Sequence, residues 1–367
     1  MIPIFEPEIT EKEKEYVADA INSTWISSQG PYIIKFEGQF AHQFGKKYGV
    51  VTSNCTTALH LSLVALGVSR GDEVICPDLT FIAPANMITL TGAKLVLVDV
   101  EEDTLAMDPS LVKKAINKNT KAIMVVHAFG HPARMDELTE IADLEQIPII
   151  EDNAESIGAT YKGKILGSFG KVSCFSFFAN KILTTGEGGI VLTDDQDLYF
   201  HLKELRDHGM SRHRRYDHIA LGFNYRMTNM QAALGLAQLE RLNQILAKRQ
   251  QQEDIYENFL SSSDKLILRS KQPWAGTVHW LMTIQFRGKN IRDKMLEYLK
   301  QQGIDCRQMI FPVHFAKHFK SSYDQDKFPV SKLISLNSIH LPSSTNLTEK
   351  NINKISMAVL EGVNLYG

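Results

Sequence analysis

One lysine lies in a segment that favours covalent chemistry with a carbonyl compound. Residues 175–189 read FSFFANKILTTGEGG, so that Lys181 follows an aromatic run and precedes a glycine cluster. An apolar setting drives a lysine toward its neutral form, which is the nucleophile required for a Schiff base. Most single lysines are solvated surface charges, and that alternative stays open for Lys181 taken alone. The segment as a whole favours a nucleophilic lysine.

Polar residues follow two strand-like runs, at the positions where an α/β sheet binds ligands. The run at 49–54 is followed by SNCTT, which opens a helix whose free N–H groups could hold a phosphate. The run at 147–153 carries Asp152, and a carboxylate in a closed site needs a positive partner, such as a protonated pyridine nitrogen. Ordinary helix caps or, for Glu151 and Asp152, a surface pair are the alternatives.

The elements that must position these residues form an alternating pattern. Seven runs rich in apolar and β-branched residues read as buried strands, at 49–54, 73–78, 94–100, 121–127, 147–153, 172–178 and 189–194. Helix-period segments such as 56–66 and 135–144 separate them, which predicts an α/β fold with a mostly parallel seven-stranded sheet.

The pattern changes after about Asp195. Long helical stretches follow, the longest at 230–260, and a strand-like run follows at 278–286. A chain of 367 residues exceeds one ordinary core. We therefore predict a large domain at 1–250 and a smaller C-terminal α+β domain at 251–367.

Composition excludes several classes of function. The net charge of -2 provides no global field for nucleic acid or anionic membrane, and no apolar run approaches the ~20 residues that span a bilayer. The four cysteines form no C-x-x-C pair, so no metal site or disulfide framework is expected. The N-terminal segment turns charged too early for a secretory signal. A cytoplasmic protein is the expectation.

Six segments along nearly the whole chain carry a specific combination of motifs. They are STWISSQGPYIIKFE (23–37), SNCTTALHLSL (53–63), PDLTFIAPAN (77–86), EDNAESIGA (151–159), SFFANKILTTGEGG (176–189) and GFNYRMTNMQAALGLAQLERL (222–242). Together they resemble the sugar aminotransferases of the DegT/DnrJ/StrS type, which depend on pyridoxal 5'-phosphate (PLP). The resemblance implies the fold type I aminotransferase architecture and PLP as cofactor.

The resemblance also implies roles for individual residues around the cofactor. Lys181 would form the Schiff base with PLP and shuttle the proton between C4' of the cofactor and the sugar carbon. Asp152 would pair with the pyridine nitrogen and keep it protonated, so that the ring absorbs electrons. Glu155 would lie near the 3-hydroxyl, and Phe81 would stack on the ring face.

The resemblance also implies which residues hold the cofactor phosphate. Ser176 would hold it together with the backbone of Cys55 and Thr56. Asn224 matches a residue that in the family reaches the phosphate from the neighbouring subunit, which implies a homodimer with shared active sites.

On the substrate side, the resemblance implies an amino donor, L-glutamate, and a nucleotide-linked sugar. The acceptor implied is GDP-4-keto-6-deoxy-D-mannose, with UDP- or dTDP-linked keto sugars as the alternative. Trp25 and Ser27 match a segment that lies over the substrate, and Arg212 belongs to a basic cluster at 206–215 that could meet a pyrophosphate. His314 matches a substrate-side histidine. A solvated charged face and a structural histidine are the alternatives.

Two residues depart from the family pattern. The chain has Cys55 where relatives usually have Gly, and Asn153 where close relatives usually have Cys; neither change removes a side chain that does chemistry.

A dinucleotide-binding oxidoreductase is disfavoured because SNCTT replaces a G-x-G-x-x-G turn. Family members that dehydrate the sugar carry His in place of Lys181. A PLP-binding regulatory protein without turnover remains a further alternative.

Overall fold

Strands and helices alternate through the N-terminal half of the chain in the computed structural model, which describes residues 1–367. The strands, in chain order, are β1 (Tyr48–Thr52), β2 (Glu73–Pro77), β3 (Lys94–Val98), β4 (Thr120–Val126), β5 (Ile149–Asp152), β6 (Thr160–Tyr161), β7 (Lys164–Ile165), β8 (Val172–Ser176), β9 (Gly189–Thr193), β10 (Leu266–Leu268), β11 (Ala275–Gly276), β12 (Met282–Phe286), β13 (Arg307–Gln308) and β14 (Ser338–Leu341).

The helices cover both faces of the main sheet and much of the C-terminal part. In chain order they are α1 (Glu11–Asn22), α2 (Pro31–Gln43), α3 (Cys55–Ala65), α4 (Ile82–Leu90), α5 (Pro109–Ala115), α6 (Met135–Leu144), α7 (Gln196–Arg206), α8 (Asn229–Glu240), α9 (Leu242–Leu260), α10 (Arg292–Gln301), α11 (Pro329–Asn337) and α12 (Glu349–Tyr366). None of them combines the length and the apolar character that a membrane span requires.

The main sheet has seven strands in the order β1-β9-β8-β5-β4-β2-β3. Its pairs from β8 through β3 are parallel, whereas β9 runs antiparallel to both β1 and β8. The predicted mostly parallel, seven-stranded sheet is confirmed. A three-stranded sheet, β11-β6-β7, is a separate addition.

Both faces of the main sheet are buried, which explains the unbroken apolar runs of its strands. Neighbouring residues alternate between two clusters: Ile123 and Ile149 belong to a cluster of 47 buried residues, and Met124 and Ile150 to one of 28 on the other face. Because successive side chains of a strand point to opposite faces, a doubly covered strand needs apolar residues at every position.

The long helix expected at 230–260 is two helices. α8 ends at Glu240, Arg241 adopts φ -114°, and α9 begins at Leu242. The guanidinium of Arg241 contacts the carboxylates of Glu8 and Glu13, which come from the N-terminal segment. The sequence around the break contains no Pro or Gly, so helical periodicity could not reveal it.

A second, antiparallel sheet of four strands, β10-β12-β14-β13, lies in the C-terminal part. It belongs to a separate cluster of 17 buried residues that lies between Tyr256 and Val363 in the sequence. The run expected at 278–286 is a strand only from Met282. Val313, Phe319 and Phe328 pack with a cluster of the main sheet instead. The domain division at residue 250, which falls within α9, remains a prediction.

Candidate active site

A cavity of about 460 Å³ opens at the carboxyl ends of the main-sheet strands. Seven of the residues predicted to contact the cofactor line it, namely Cys55, Thr56, Phe81, Asp152, Glu155, Ser176 and Lys181. They follow or end β1, β2, β5 and β8, and the carboxyl ends of β2, β5 and β8 meet at one edge of the sheet. The sheet thus brings together residues that are far apart in the sequence, as expected for an α/β ligand site.

Lys181 lies in the loop between β8 and β9 and points into this cavity. Its Nζ is 3.8 Å from the centre of the Trp280 ring and 3.8 Å from Glu155 Oε1. Trp280 is fixed in turn, because its Nε1 donates a hydrogen bond to the carbonyl of Asn180 (2.8 Å). Burial lowers the pKa of Lys181, against the opposing pull of Glu155 and Asp152. A larger share of neutral amine is therefore available as nucleophile and base.

Two carboxylates face the lysine. Asp152, the last residue of β5, is 4% exposed and accepts a hydrogen bond from the backbone N–H of Ala154 (2.9 Å), without a cationic side chain at ion-pair distance. Glu155 accepts a hydrogen bond from the Phe129 N–H (2.8 Å). Burial raises the pKa of both carboxyl groups, and Lys181 opposes the rise. A buried carboxylate such as Asp152 is stabilised by a cationic ligand group.

The amino-terminal end of α3 also lines the cavity. Asn54 caps the helix by accepting a hydrogen bond from the Thr57 N–H (2.9 Å), so the N–H groups of Cys55 and Thr56 have no partner within the helix. A Cβ on Gly189 would lie 2.6 Å from the Asn54 carbonyl carbon, so only glycine lets β9 approach this turn. Free N–H groups at a helix start bind phosphate well.

These features match the functional groups of PLP. The molecule carries an aldehyde for Lys181, a basic ring nitrogen for Asp152 and a phosphate for the start of α3, where Ser176 adds a hydroxyl. The exposed ring of Phe81 (59%) lies on the cavity wall, where it is available for stacking. The residues present therefore fit this cofactor.

The remaining predicted residues lie outside the cavity wall. Asn224 is exposed and accepts a hydrogen bond from Arg226 Nε (2.9 Å). Trp25 (52% exposed) and Ser27 lie in the segment before α2, where their backbone carbonyls accept hydrogen bonds from Asn229. A single chain does not bring these three residues to its own cofactor cavity.

Arg212 and His314 have other neighbours. The exposed guanidinium of Arg212 lies over the ring of Phe200, at 4.1 Å. His314 is fully buried, and its Nδ1 is 2.6 Å from Asp78 Oδ2, while its backbone N–H donates to Asp78 Oδ1 (2.9 Å). The structure thus places His314 in a buried contact with Asp78 rather than on the cavity wall.

The sequence did not indicate the wall that the C-terminal part contributes. Its members are Trp280, Leu281, Arg307, Gln308, Ile310 and His340. Arg307 and Gln308 form a strand of only two residues, too short for any periodicity to show. The only signal for Trp280 was its place in the strand-like run at 278–286, which indicates burial but not a site.

Comparisons with known proteins agree with this geometry. The model of the DegT/DnrJ/EryC1/StrS aminotransferase family matches residues 7–360. The chain is 41% identical to GDP-perosamine synthase of Escherichia coli O157:H7, over 98% of both chains, and 40% identical to GDP-perosamine synthase of Caulobacter vibrioides, over 98% of this chain and 97% of that one.

Solved structures extend the comparison. The fold matches the PLP form of Spr1654 from Streptococcus pneumoniae, a candidate sugar aminotransferase, with a TM-score of 0.96 and 29% identity, over 100% of this chain and 99% of that one. It matches the S. venezuelae protein DesV, solved in complex with a ketimine intermediate, with a TM-score of 0.91 and 32% identity, over 96% and 94%. The chain is therefore a PLP-dependent sugar aminotransferase that belongs to the DegT/DnrJ/EryC1/StrS aminotransferase family.

Proposed function

We propose that the protein transfers an amino group from L-glutamate to C4 of GDP-4-keto-6-deoxy-D-mannose and so forms GDP-perosamine. The choice of this sugar is supported by the two relatives named GDP-perosamine synthase, which are about 40% identical over nearly the whole chain. The aminotransferase chemistry itself rests on one observation: Lys181, Asp152 and the start of α3 line the same cavity.

The chain's own residues account for the steps. Bound PLP supplies an aldehyde that takes up the amino group and a ring that absorbs electrons. Asp152 holds the ring nitrogen in its protonated form. The amine of Lys181, whose pKa burial lowers, takes a proton from Cα of the donor and later delivers one to C4 of the sugar. Because Lys181 approaches from one face, it fixes the stereochemistry at C4.

A homodimer with shared sites is part of the proposal. Asn224, which the family resemblance assigns to the neighbouring site, is exposed and lies outside its own cavity. Large apolar side chains are exposed near the segments concerned: Leu221 is 88% exposed, and Ile219 and Ile26 are 58% and 49% exposed. Large exposed apolar side chains such as these are available to an interaction surface.

Mixed dimers test whether each active site contains residues of both subunits. Inactive Lys181→Ala and Asn224→Ala chains, coexpressed in equal amounts, give half mixed dimers, each with one site that has both residues. About a quarter of the wild-type activity should return, since a two-fold dimer has two equivalent sites. Isolated mixed dimers without activity would place Asn224 in its own subunit's site or outside the site.

The substrate proposal is tested by comparing the activity of the enzyme toward two keto sugars. Purified enzyme with L-glutamate receives GDP-4-keto-6-deoxy-D-mannose and, separately, a UDP-linked 4-keto-6-deoxy sugar, and kcat/KM is measured for each by product chromatography. We expect a clear preference for the GDP sugar. A preference for the UDP sugar would contradict the GDP assignment, and inactivity toward both would contradict this class of sugar.

A further inference from the structure

Arg307 is an arginine on the cavity wall without a counter-charge. It is exposed, lies on β13 and has no ion pair and no side-chain hydrogen bond. Arg134, Arg206 and Arg226 all contact carboxylates. None of the three acids on the cavity wall, Asp152, Glu155 and Glu187, forms an ion pair with Arg307, and Glu155 lies 3.8 Å from the Lys181 amine instead. Arg307 is therefore a cation available to a ligand.

A series of neighbouring aromatic rings connects Arg307 to the reactive lysine. Trp280, against which Lys181 lies, is stacked on Phe129 with ring centres 6.2 Å apart, and Phe129 lies 5.2 Å from the His340 ring. His340 is the register partner of Arg307 across the β13–β14 pair. These rings form a continuous wall with the amine at one end and the guanidinium at the other.

The neighbours of Arg307 on the cavity wall leave its charge uncompensated. His340 accepts or donates one hydrogen bond, with Thr283 Oγ1 (2.9 Å), and burial together with Arg307 lowers its pKa to about 3. At neutral pH it is uncharged, so it neither repels nor neutralises the guanidinium. Gln308, the next residue, also lines the cavity and offers an amide beside it.

We propose that Arg307 binds a carboxylate of the amino donor, and that the aromatic wall from Trp280 to His340 sets the distance between this carboxylate and the reacting amine. Arginine suits this task because its planar fork matches an oxyanion with two parallel hydrogen bonds. The inference rests on the proposed function for the identity of the donor. The pyrophosphate of the sugar nucleotide has the same oxyanion chemistry and is the other possible source.

Separate half-reactions distinguish the two sources. In the first arm, PLP-loaded enzyme is mixed with L-glutamate without any sugar, and the decay of the visible absorption band gives the half-saturating glutamate concentration. In the second arm, enzyme already converted by glutamate and freed of it is mixed with the GDP keto sugar, and the return of the band is followed. Calorimetry with glutarate, an unreactive dicarboxylate, measures binding without turnover.

We expect Arg307→Gln to raise the half-saturating glutamate concentration about ten- to hundredfold, as loss of a hydrogen bond between charged groups predicts, with Arg307→Lys in between. Glutarate affinity should fall in parallel, and the sugar arm should stay within about twofold of wild type. Arg287→Gln is the matched control, because Arg287 is an exposed arginine of the same part of the chain without an ion pair. Thermal melting checks that each variant is folded.

Unchanged glutamate and glutarate values in folded Arg307→Gln would overturn the proposal. A shift confined to the sugar arm would also overturn it and would assign Arg307 to the pyrophosphate. The donor arm contains no sugar, so a failure of the GDP assignment leaves its result intact, and the two failures are distinguishable.

Discussion

The two walls of the cavity differ in how sequence encodes them. The sheet-edge wall consists of residues at or just after the carboxyl ends of strands that are buried on both faces, so that Asp152 and Ser176 occupy positions fixed by the topology of a parallel sheet. The C-terminal wall is assembled from short antiparallel strands and a loop, which contribute Trp280, Arg307 and His340. We infer that the first wall performs the chemistry common to PLP enzymes and that the second selects substrates.

The largest expected effect falls on the sheet-edge wall. Asp152→Asn replaces the carboxylate that we propose keeps the ring nitrogen protonated, so we expect kcat to fall about a hundredfold or more, within the range that such charge stabilisation contributes. The fold should persist, because Asp152 accepts only a hydrogen bond from the Ala154 N–H. Steady-state kinetics and circular dichroism measure both. Near-normal kcat would remove Asp152 from the assigned role.

The adjacent carboxylate provides a contrast on the same strand. Glu151 is fully buried behind the sheet edge and accepts hydrogen bonds from the N–H groups of Gly167, Phe169 and Gly170 and from Ser173 Oγ. Burial alone would raise the pKa of Glu151. The interactions with His127 and with the N–H groups of Gly167 and Gly170 outweigh this effect, so its pKa lies below the usual value.

Glu151→Gln should therefore damage the fold rather than the chemistry. One amide cannot accept all of these hydrogen bonds, so we expect the free energy of unfolding to fall by about 3 kcal/mol, the cost of breaking a buried charged network. Denaturant unfolding measures it. A stable but inactive Glu151→Gln protein would show instead that Glu151 takes part in the reaction.

The pH dependence of the free energy of unfolding tests whether His340, on the C-terminal wall, is buried and uncharged. The pKa of buried His340 is lowered to about 3, below the 6.5 of an unperturbed histidine, so the unfolded state binds the extra proton between these values. Stability should fall as pH drops from 6.5, with a contribution of up to about 1.4 kcal/mol per pH unit. His340→Gln should have a shallower slope in urea unfolding at several pH values. Parallel slopes would mean that His340 is already protonated or exposed.

The smallest effect is expected at Trp280. Trp280→Leu removes a ring that interacts with the Lys181 amine, an interaction worth about 0.5–2 kcal/mol. We expect kcat to fall by a factor of about two to thirty, clearly less than in Asp152→Asn, and single-turnover kinetics would resolve it. A loss as large as that of Asp152→Asn would abolish the distinction between the walls.

Sequence could predict the elements and residues that depend on local patterns. The seven strands were recognisable because a sheet covered on both faces needs apolar residues at every position. The end of the run at 147–153 then located Asp152, whereas Ser176 was assigned by the family resemblance. The break at Arg241 was not predictable, because contacts with Glu8 and Glu13 accompany it rather than any local signal.

Other site residues depend on distant contacts. Arg307 and His340 are brought near Trp280 only through the pairing of β12, β13 and β14. Sequence periodicity reveals neither this antiparallel pairing nor the two-residue strand β13. The buried contact of His314 with Asp78 joins residues that are 236 positions apart in the sequence. Tertiary pairing of this kind has no signature in the local sequence.

The central claim is that Lys181 carries the cofactor, and borohydride reduction of the PLP-loaded enzyme followed by peptide mapping tests it most directly. We predict a pyridoxyl group on Lys181, within the peptide FSFFANKILTTGEGG, and a folded Lys181→Ala protein that binds PLP without a reducible linkage and has no transaminase activity. A pyridoxyl group on another lysine of the wild-type enzyme would contradict the account.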